Sequence, residues 1–200
     1  ALSDLASRIY TDRNTATISR KESVTMKKLI FLGTSAGGMR PKAVIAYNKD
    51  TGEFRSGQVN LPEGFKHYII KFKESDDSPT AEVEMVYHEM AKAAGIDMMP
   101  CFLKEIDGKK HFVTERFDRK DGEKIFSQTL AAISPNADDY LKIFWLADRL
   151  NLSQEDKDQL FIRMVFNYVA GISDDHNKNF SFLMDKSGRW QLSPAYDVMF

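Results

Sequence analysis

The order of apolar and polar positions divides the chain into two parts with different periods. Between residues 27 and 118 the apolar residues alternate or run in short blocks broken by turn formers, which predicts strands. KKLIFLGTSAGGMRPKAVIAYNKDTGEF (27–54) reads as a strand, a glycine-rich turn, a second strand and an Asn-Lys-Asp-Thr-Gly turn. KHYIIKFK (66–73) predicts another strand, and CFLKEIDGKKHFVTERFD (101–118) a hairpin about Asp107-Gly108. One helix interrupts them. In DDSPTAEVEMVYHEMAKAAGI (76–96), Val83, Val86, Tyr87, Met90 and Ala94 recur at helical spacing. Ser78 or Thr80 suits its cap, Pro79 its first turn and Gly95 its end. Residues 1–27 predict a short helix and a polar connector.

Beyond residue 118 the period becomes helical. ADDYLKIFWLADRL (137–150) is amphipathic, and SQEDKDQLFIRMVFNYVAGI (153–172) follows it. The second carries the stripes Leu160/Met164/Tyr168 and Phe161/Val165/Val169, so much of its surface is expected to be buried. Ser153 and Asp156 resemble a capping box. FSFLM, DKSG and RWQL (180–192) form a short predicted hairpin. The expected fold class is α+β, with a β-rich part over 1–120 and the start of a helical part over 121–200.

Composition narrows the class. Apolar residues make up 42% and charged residues 28% of the 200, as in an ordinary globular domain. A net charge of −1 creates no bulk field for nucleic acid or membrane. No apolar run approaches the roughly 18–20 residues of a membrane span. No signal peptide is visible, so a cytoplasmic location is expected. Cys101 is the single cysteine, which excludes an internal disulfide framework. The first residue is Ala and the chain stops in the apolar stretch YDVMF, so both ends read as cut.

Three features carry chemistry. In GTSAGGMRPKA (33–43), three glycines with Thr34 and Ser35 allow backbone N–H groups to approach a phosphate closely, and Arg40 and Lys42 add positive charge. The motif is not a Walker A loop, and its plainer reading is a tight hairpin. Lys71 lies in YIIKF among apolar and aromatic neighbours, where an ammonium must snorkel or pair. The following helix offers Glu82, Glu84 and Glu89 as partners, and Glu84, in its first turns, is the favoured one. The plainer readings are an edge-strand lysine and a solvated helix face.

The third feature is GISDDHNKNFSF (171–182), whose charges and amides are too dense for a core. Asp174 and Asn179 form D-x-x-x-x-N. In a phosphoryl-transfer loop the Asp orients or deprotonates an acceptor hydroxyl, and the Asn is a neutral oxygen ligand for Mg2+. Asp197, eighteen residues later in PAYD, can complete the Mg2+ shell. Spacing selects Asp174 over Asp175 for the acceptor, while His176 and Lys178 touch phosphate or support the loop. A solvated capping loop is the plainer reading, and a Zn2+ or Fe2+ centre of Asp174, Asp175 and His176 is a further one. A glycine-rich turn, a strand Lys, a helix Glu, a helical half, D-x-x-x-x-N and a later Asp make up the part list of a protein-kinase-like, two-lobed fold.

GTSAGGMRPKA (33–43), YIIKF (68–72), TERFDR (114–119), SDDHNKNFS (173–181) and LSPAYDVM (192–199) together resemble the HipA family of bacterial toxin–antitoxin serine/threonine kinases. The resemblance implies an enzyme that uses ATP and Mg2+ to phosphorylate Ser or Thr of a protein substrate. It implies Asp174 as the catalytic aspartate, Asn179 and Asp197 as Mg2+ ligands, and Lys71 as the phosphate-binding lysine. Gly33, Thr34, Ser35, Ala36, Gly37 and Gly38 would cover the nucleotide, and Glu115, Arg116 and Phe117 would be the hinge whose backbone meets adenine. Ser35 matches a loop serine that such kinases autophosphorylate to switch themselves off. The family further implies a helix-turn-helix antitoxin, with DNA met only through that partner. The H-R-D triplet of common kinases is replaced by Gly171-Ile172-Ser173, and the usual D-F-G by Tyr196-Asp197-Val198. Family members carry an N-terminal subdomain and C-terminal helices, so the chain reads as a fragment or as part of a split gene. A separate chain would then supply the subdomain. The alternatives are a small-molecule kinase of the aminoglycoside type and a non-catalytic nucleotide-binding module.

Overall fold

A computed structural model describes residues 17–18, 42–57, 60–73, 78–120 and 122–199. The glycine-rich turn at 33–41, with Gly33, Thr34, Ser35, Ala36, Gly37, Gly38 and Arg40, lies outside the described residues, as does most of the segment expected to begin with a helix. The exception is Thr17–Ile18, which is a strand rather than helix or connector.

The chain divides into two units, residues 1–82 with 100–116, and residues 83–99 with 117–200. Among the described residues, the first is built on a six-stranded antiparallel sheet. Its strands are β1 (Thr17–Ile18), β2 (Lys42–Tyr47), β3 (Phe54–Ser56), β4 (Lys66–Lys71), β5 (Cys101–Ile106) and β6 (Lys109–Glu115), in the order β1-β3-β2-β4-β6-β5. Local chemistry sets the turns. Asn48 Oδ1 accepts from the N–H groups of Asp50 and Thr51 at 2.9 and 3.0 Å, which closes the β2–β3 connection. Asp107 and Gly108 both have positive φ, 53° and 73°, as a two-residue turn matched to strand twist requires. On β2 every residue from Ala43 to Tyr47 is buried, although successive side chains point to opposite faces. Ile45, Tyr47, Phe54, Tyr68, Ile70 and Val113 form the centre of this unit's core.

Helix α1 (Thr80–Ala93) follows β4, and from Val83 onward it belongs to the second unit. Gly95 ends it at φ 86°. The Ile96 N–H bonds Ala91 O and the Gly95 N–H bonds Lys92 O, both at 3.0 Å, as in a Schellman closure. The second unit adds β7 (Arg119–Lys120), β8 (Glu123–Lys124), β9 (Phe126–Thr129), α2 (Leu130–Ile133), α3 (Tyr140–Arg149), α4 (Gln154–Val169), β10 (Ser181–Met184) and β11 (Trp190–Leu192). The predicted β10–β11 hairpin forms, and β9, which the pattern did not disclose, joins it in the sheet β11-β10-β9. Asp139 caps α3 by accepting from the Lys142 N–H at 2.8 Å. The Ser153/Asp156 capping box at α4 is complete in both directions. Leu130, Ala147, Leu160 and Phe182 are fully buried in this unit's core.

One helical expectation is corrected. Leu160 is buried, but Phe161, Val165, Tyr168 and Val169 are exposed at 54, 44, 89 and 78%. Apolar periodicity names the face of a helix that favours burial, and it does not say that another element lies over that face.

Candidate active site

The polar loop 173–179 is positioned by the end of α4 and the start of α2. Gly171, at φ 66°, lets the Ile172 N–H reach back to Asn167 O at 2.9 Å, so the helix stops and the chain turns outward. Leu130 and Ala131, at the start of α2, donate their N–H groups to Phe180 O and Asn177 O at 2.8 and 3.0 Å. Asn177 Nδ2 donates to Pro135 O at 3.1 Å, and the Asn179 N–H to His176 O at 2.9 Å. The loop is irregular, yet most of its direction is set by backbone groups that need partners.

Asn179 Nδ2 donates to the backbone carbonyl of Asp174 at 2.8 Å. This ties the two ends of D-x-x-x-x-N and leaves the amide Oδ1 as the group it offers elsewhere. The β10–β11 hairpin carries the chain back so that the Ser193 N–H meets Ser181 O at 2.9 Å, and the Ala195 N–H meets Asp97 O at 2.8 Å. Two residues on, Asp197 adopts φ 54°, a left-handed conformation uncommon outside glycine. Asn179 and Asp197 line one open pocket, together with Arg163, Asn167, Asp175 and Tyr196.

The two adjacent aspartates have different surroundings. The Asp174 side chain is 73% exposed, with Oδ1 3.5 Å from His176 Nε2. Asp175 is half-buried and accepts a 2.5 Å hydrogen bond from the Tyr140 hydroxyl, which in turn accepts from Asn167 Nδ2 at 3.1 Å. Asp175 is therefore held by α3 and α4, while the carboxylate of Asp174 faces solvent. His176 and Lys178 are exposed. Tyr140, Asn167 and Arg163 were not legible as site residues, since each sits in an amphipathic helix where a polar residue reads as surface.

Burial shapes the electrostatics. Arg163 is 4% exposed; its Nη2 donates to Ser193 O at 2.6 Å, and burial pulls its pKa down to about 10, which leaves it charged at neutral pH. Burial and then the bond to Asp175 push the Tyr140 hydroxyl well above its ordinary value. Burial raises the Tyr196 hydroxyl to about 12. Among the described residues no group of three or more His, Cys, Asp or Glu side chains is arranged to hold a metal, which removes the Zn2+ or Fe2+ reading of Asp174, Asp175 and His176. Asn179 and Asp197 offer hard oxygen donors to this pocket, the type that Mg2+ takes alongside waters and phosphate oxygens.

In the first unit, Lys71 is not on an edge. Strand β4 pairs with β2 on one side and β6 on the other, with Lys71 opposite Lys42 and Phe112. Its Nζ stands 5.5 Å from the centre of the Phe112 ring. Glu84, in the second unit, is 4% exposed rather than on a solvated face. The chain passes from one unit to the other between Arg116 and Phe117, inside the expected hinge. The Glu115 N–H bonds Pro100 O at 3.0 Å and the Arg116 N–H bonds His67 O at 2.9 Å, while the Glu115 carboxylate pairs with Lys66 at 2.8 Å.

The chain is similar to known proteins in sequence and in fold. Residues 34–200 match the family model described as the HipA-like C-terminal domain. A curated protein of Haemophilus influenzae named "Putative kinase" is 25% identical over 201 residues, which cover 90% of this chain and 57% of that protein. "Putative kinase Y4mE" of Sinorhizobium fredii is 29% identical over 180 residues, 81% of this chain and 43% of its own length. The chain thus spans about half the length of the curated relatives it matches. Among solved structures, HipA of Shewanella oneidensis MR-1, in complex with HipB and operator DNA, superposes with a TM-score of 0.65 at 19% identity over 97% of this chain and 49% of that one. The Helicobacter pylori proinflammatory kinase CtkA gives 0.51 at 16% identity, over 66% of this chain and 50% of that one. These likenesses establish the kinase-like α+β fold. A family match over five-sixths of its length makes the chain a member of the HipA-like C-terminal domain family.

Proposed function

We propose that the chain is the nucleotide-binding and catalytic part of an ATP- and Mg2+-dependent kinase that phosphorylates Ser or Thr of a protein, the toxin of a cytoplasmic toxin–antitoxin pair. The observation that carries this reading is that Asn179 and Asp197, from two distant segments, line one pocket beside the D-x-x-x-x-N loop. In this reading Asn179 Oδ1 and the Asp197 carboxylate hold Mg2+. When bound, the ion neutralises charge on the phosphates. Lys71 and the backbone of Gly33–Gly38 bind phosphate, and His176 and Lys178 touch phosphate or support the loop. The Glu115 and Arg116 N–H groups are already engaged, so adenine is met by carbonyls of this segment and by the Phe117 N–H.

Asp174 accepts the proton of the acceptor hydroxyl as its oxygen bonds to the γ-phosphorus. The bond from that phosphorus to the bridging oxygen breaks, and ADP leaves. Exposure of the Asp174 carboxylate suits an acceptor presented by a second protein. The likeness to a HipA solved with HipB and operator DNA supports a helix-turn-helix antitoxin as partner, with DNA bound through it. A phosphate on Ser35 would add about −1.5 to −2 charges next to those of ATP and repel the loop from the nucleotide.

The test is transfer from γ-labelled ATP with Mg2+, to a protein lysate and to a panel of small alcohols, by wild type and Asp174→Ala. The expected result is protein label with wild type only, and loss of the main autophosphorylated peptide in Ser35→Ala. Label on small alcohols alone would overturn the protein-kinase reading. Nucleotide binding with no transfer by either form would make the chain a binding module.

A further inference from the structure

We infer that Tyr196 is a positioning residue whose hydroxyl sets the separation of Asn179 and Asp197. This rests on the proposed reading of those two residues as Mg2+ ligands. Tyr196 is the neighbour of Asp197, and its hydroxyl lies 2.8 Å from the backbone carbonyl of Lys178, the neighbour of Asn179. The same hydroxyl lies 2.6 Å from Ser181 Oγ. A carbonyl only accepts, so the one phenolic proton goes to Lys178 O and Ser181 must donate to the tyrosine oxygen. Both bonds of the hydroxyl therefore run from the Asp197 segment to the loop and strand that carry Asn179. Ser181 is 3% exposed, so its hydroxyl depends on this partner.

The remaining contacts of Tyr196 hold its ring and do not fix that separation. Its ring packs 5.4 Å from that of Phe117. A phenylalanine would keep this contact and the wall of the pocket and lose both cross-segment bonds. The backbone alone is a poor spacer at this point. Asp197 sits at φ 54°, and the Met199 N–H turns back to Asp197 O at 3.2 Å, in a segment that left the sheet at Leu192. Residues that orient metal ligands typically change metal affinity 10–100-fold when altered.

The test measures binding of a non-hydrolysable ATP analogue with Mg2+ and with EDTA, for wild type, Tyr196→Phe and the double variant Tyr196→Phe/Ser181→Ala. The double variant removes both polar partners and avoids a stranded buried hydroxyl. The expected result is that Mg2+ strengthens binding to wild type, that either variant loses about tenfold of that gain, and that affinity in EDTA stays the same. Variants matching wild type in both conditions would overturn the inference and leave the proposed function standing. Absence of any Mg2+ effect in wild type would overturn the reading of Asn179 and Asp197 itself. Hydrogen exchange on wild type needs no variant: Mg2+ with the analogue should slow the amides of 178–181 and 195–198 together, and slowing of only one segment would overturn the coupling.

Discussion

The carboxylate of Asp175 accepts a 2.5 Å hydrogen bond from the Tyr140 hydroxyl, which joins the polar loop to the first turn of α3. Tyr140, Tyr68 and Tyr196 all have hydroxyls raised above the ordinary value of 10.0, Tyr68 and Tyr196 to about 12, with burial the largest cause in each. A raised folded-state pKa means that the folded protein holds the proton more tightly. Its contribution is complete below pH 10 and is lost as pH rises toward the folded values. Urea unfolding should therefore show constant tyrosine-linked stability up to about pH 9 and a steep fall above about pH 10. Tyr140→Phe should make that fall shallower, at a cost of about 1.5–3 kcal/mol near neutral pH for losing a hydrogen bond to a charged acceptor. An unchanged alkaline slope would contradict the linkage.

Asp197 holds a backbone conformation that an ordinary side chain resists. Asp197→Gly should be more stable than Asp197→Ala by about 1 kcal/mol, since only glycine adopts positive φ freely. Both should lose Mg2+-dependent nucleotide binding. Chemical denaturation alongside calorimetric titration checks the two halves, and normal nucleotide affinity in either variant would remove Asp197 from the metal site.

Arg163 is a buried cation whose bond to Ser193 O anchors the strand end leading to Asp197. Arg163→Ala should cost about 3 kcal/mol, because it leaves that carbonyl unpartnered and removes the positive charge that faces Asp97 and Asp156. The shift in denaturation midpoint measures this, and a change under about 1 kcal/mol would show the carbonyl to be satisfied without the guanidinium.

Lys71→Met removes the ammonium from a central strand position and keeps an unbranched side chain there. Affinity for ATP should fall about tenfold, or ~1.4 kcal/mol. Unaltered affinity would show that Lys71 meets no phosphate.

Features set by neighbours in the chain were legible in the residues. The Asp107-Gly108 turn, the Ser153/Asp156 box and the glycine that ends α1 act over two to six residues, so their side chains and φ angles suffice. The D-x-x-x-x-N spacing was legible for the same reason, because the Asn179 amide closes on the Asp174 carbonyl within its own loop. Strand β9 was not, since FSQT becomes a strand only by pairing with Ser181–Met184. Nor was the cover of α4, because periodicity marks an apolar stripe without supplying a neighbour.

What the sequence by itself determined is the order of parts and the chemistry each can perform, since those depend on residue type and short spacing. The tertiary structure alone decided which of two adjacent aspartates is tied down and which faces solvent. It alone brought residue 197 to the pocket of residue 179 and gave Tyr196 its two partners. The reason is physical. A hydroxyl, a carboxylate and a carbonyl far apart along the chain select one another only once a buried core has brought them within 3 Å.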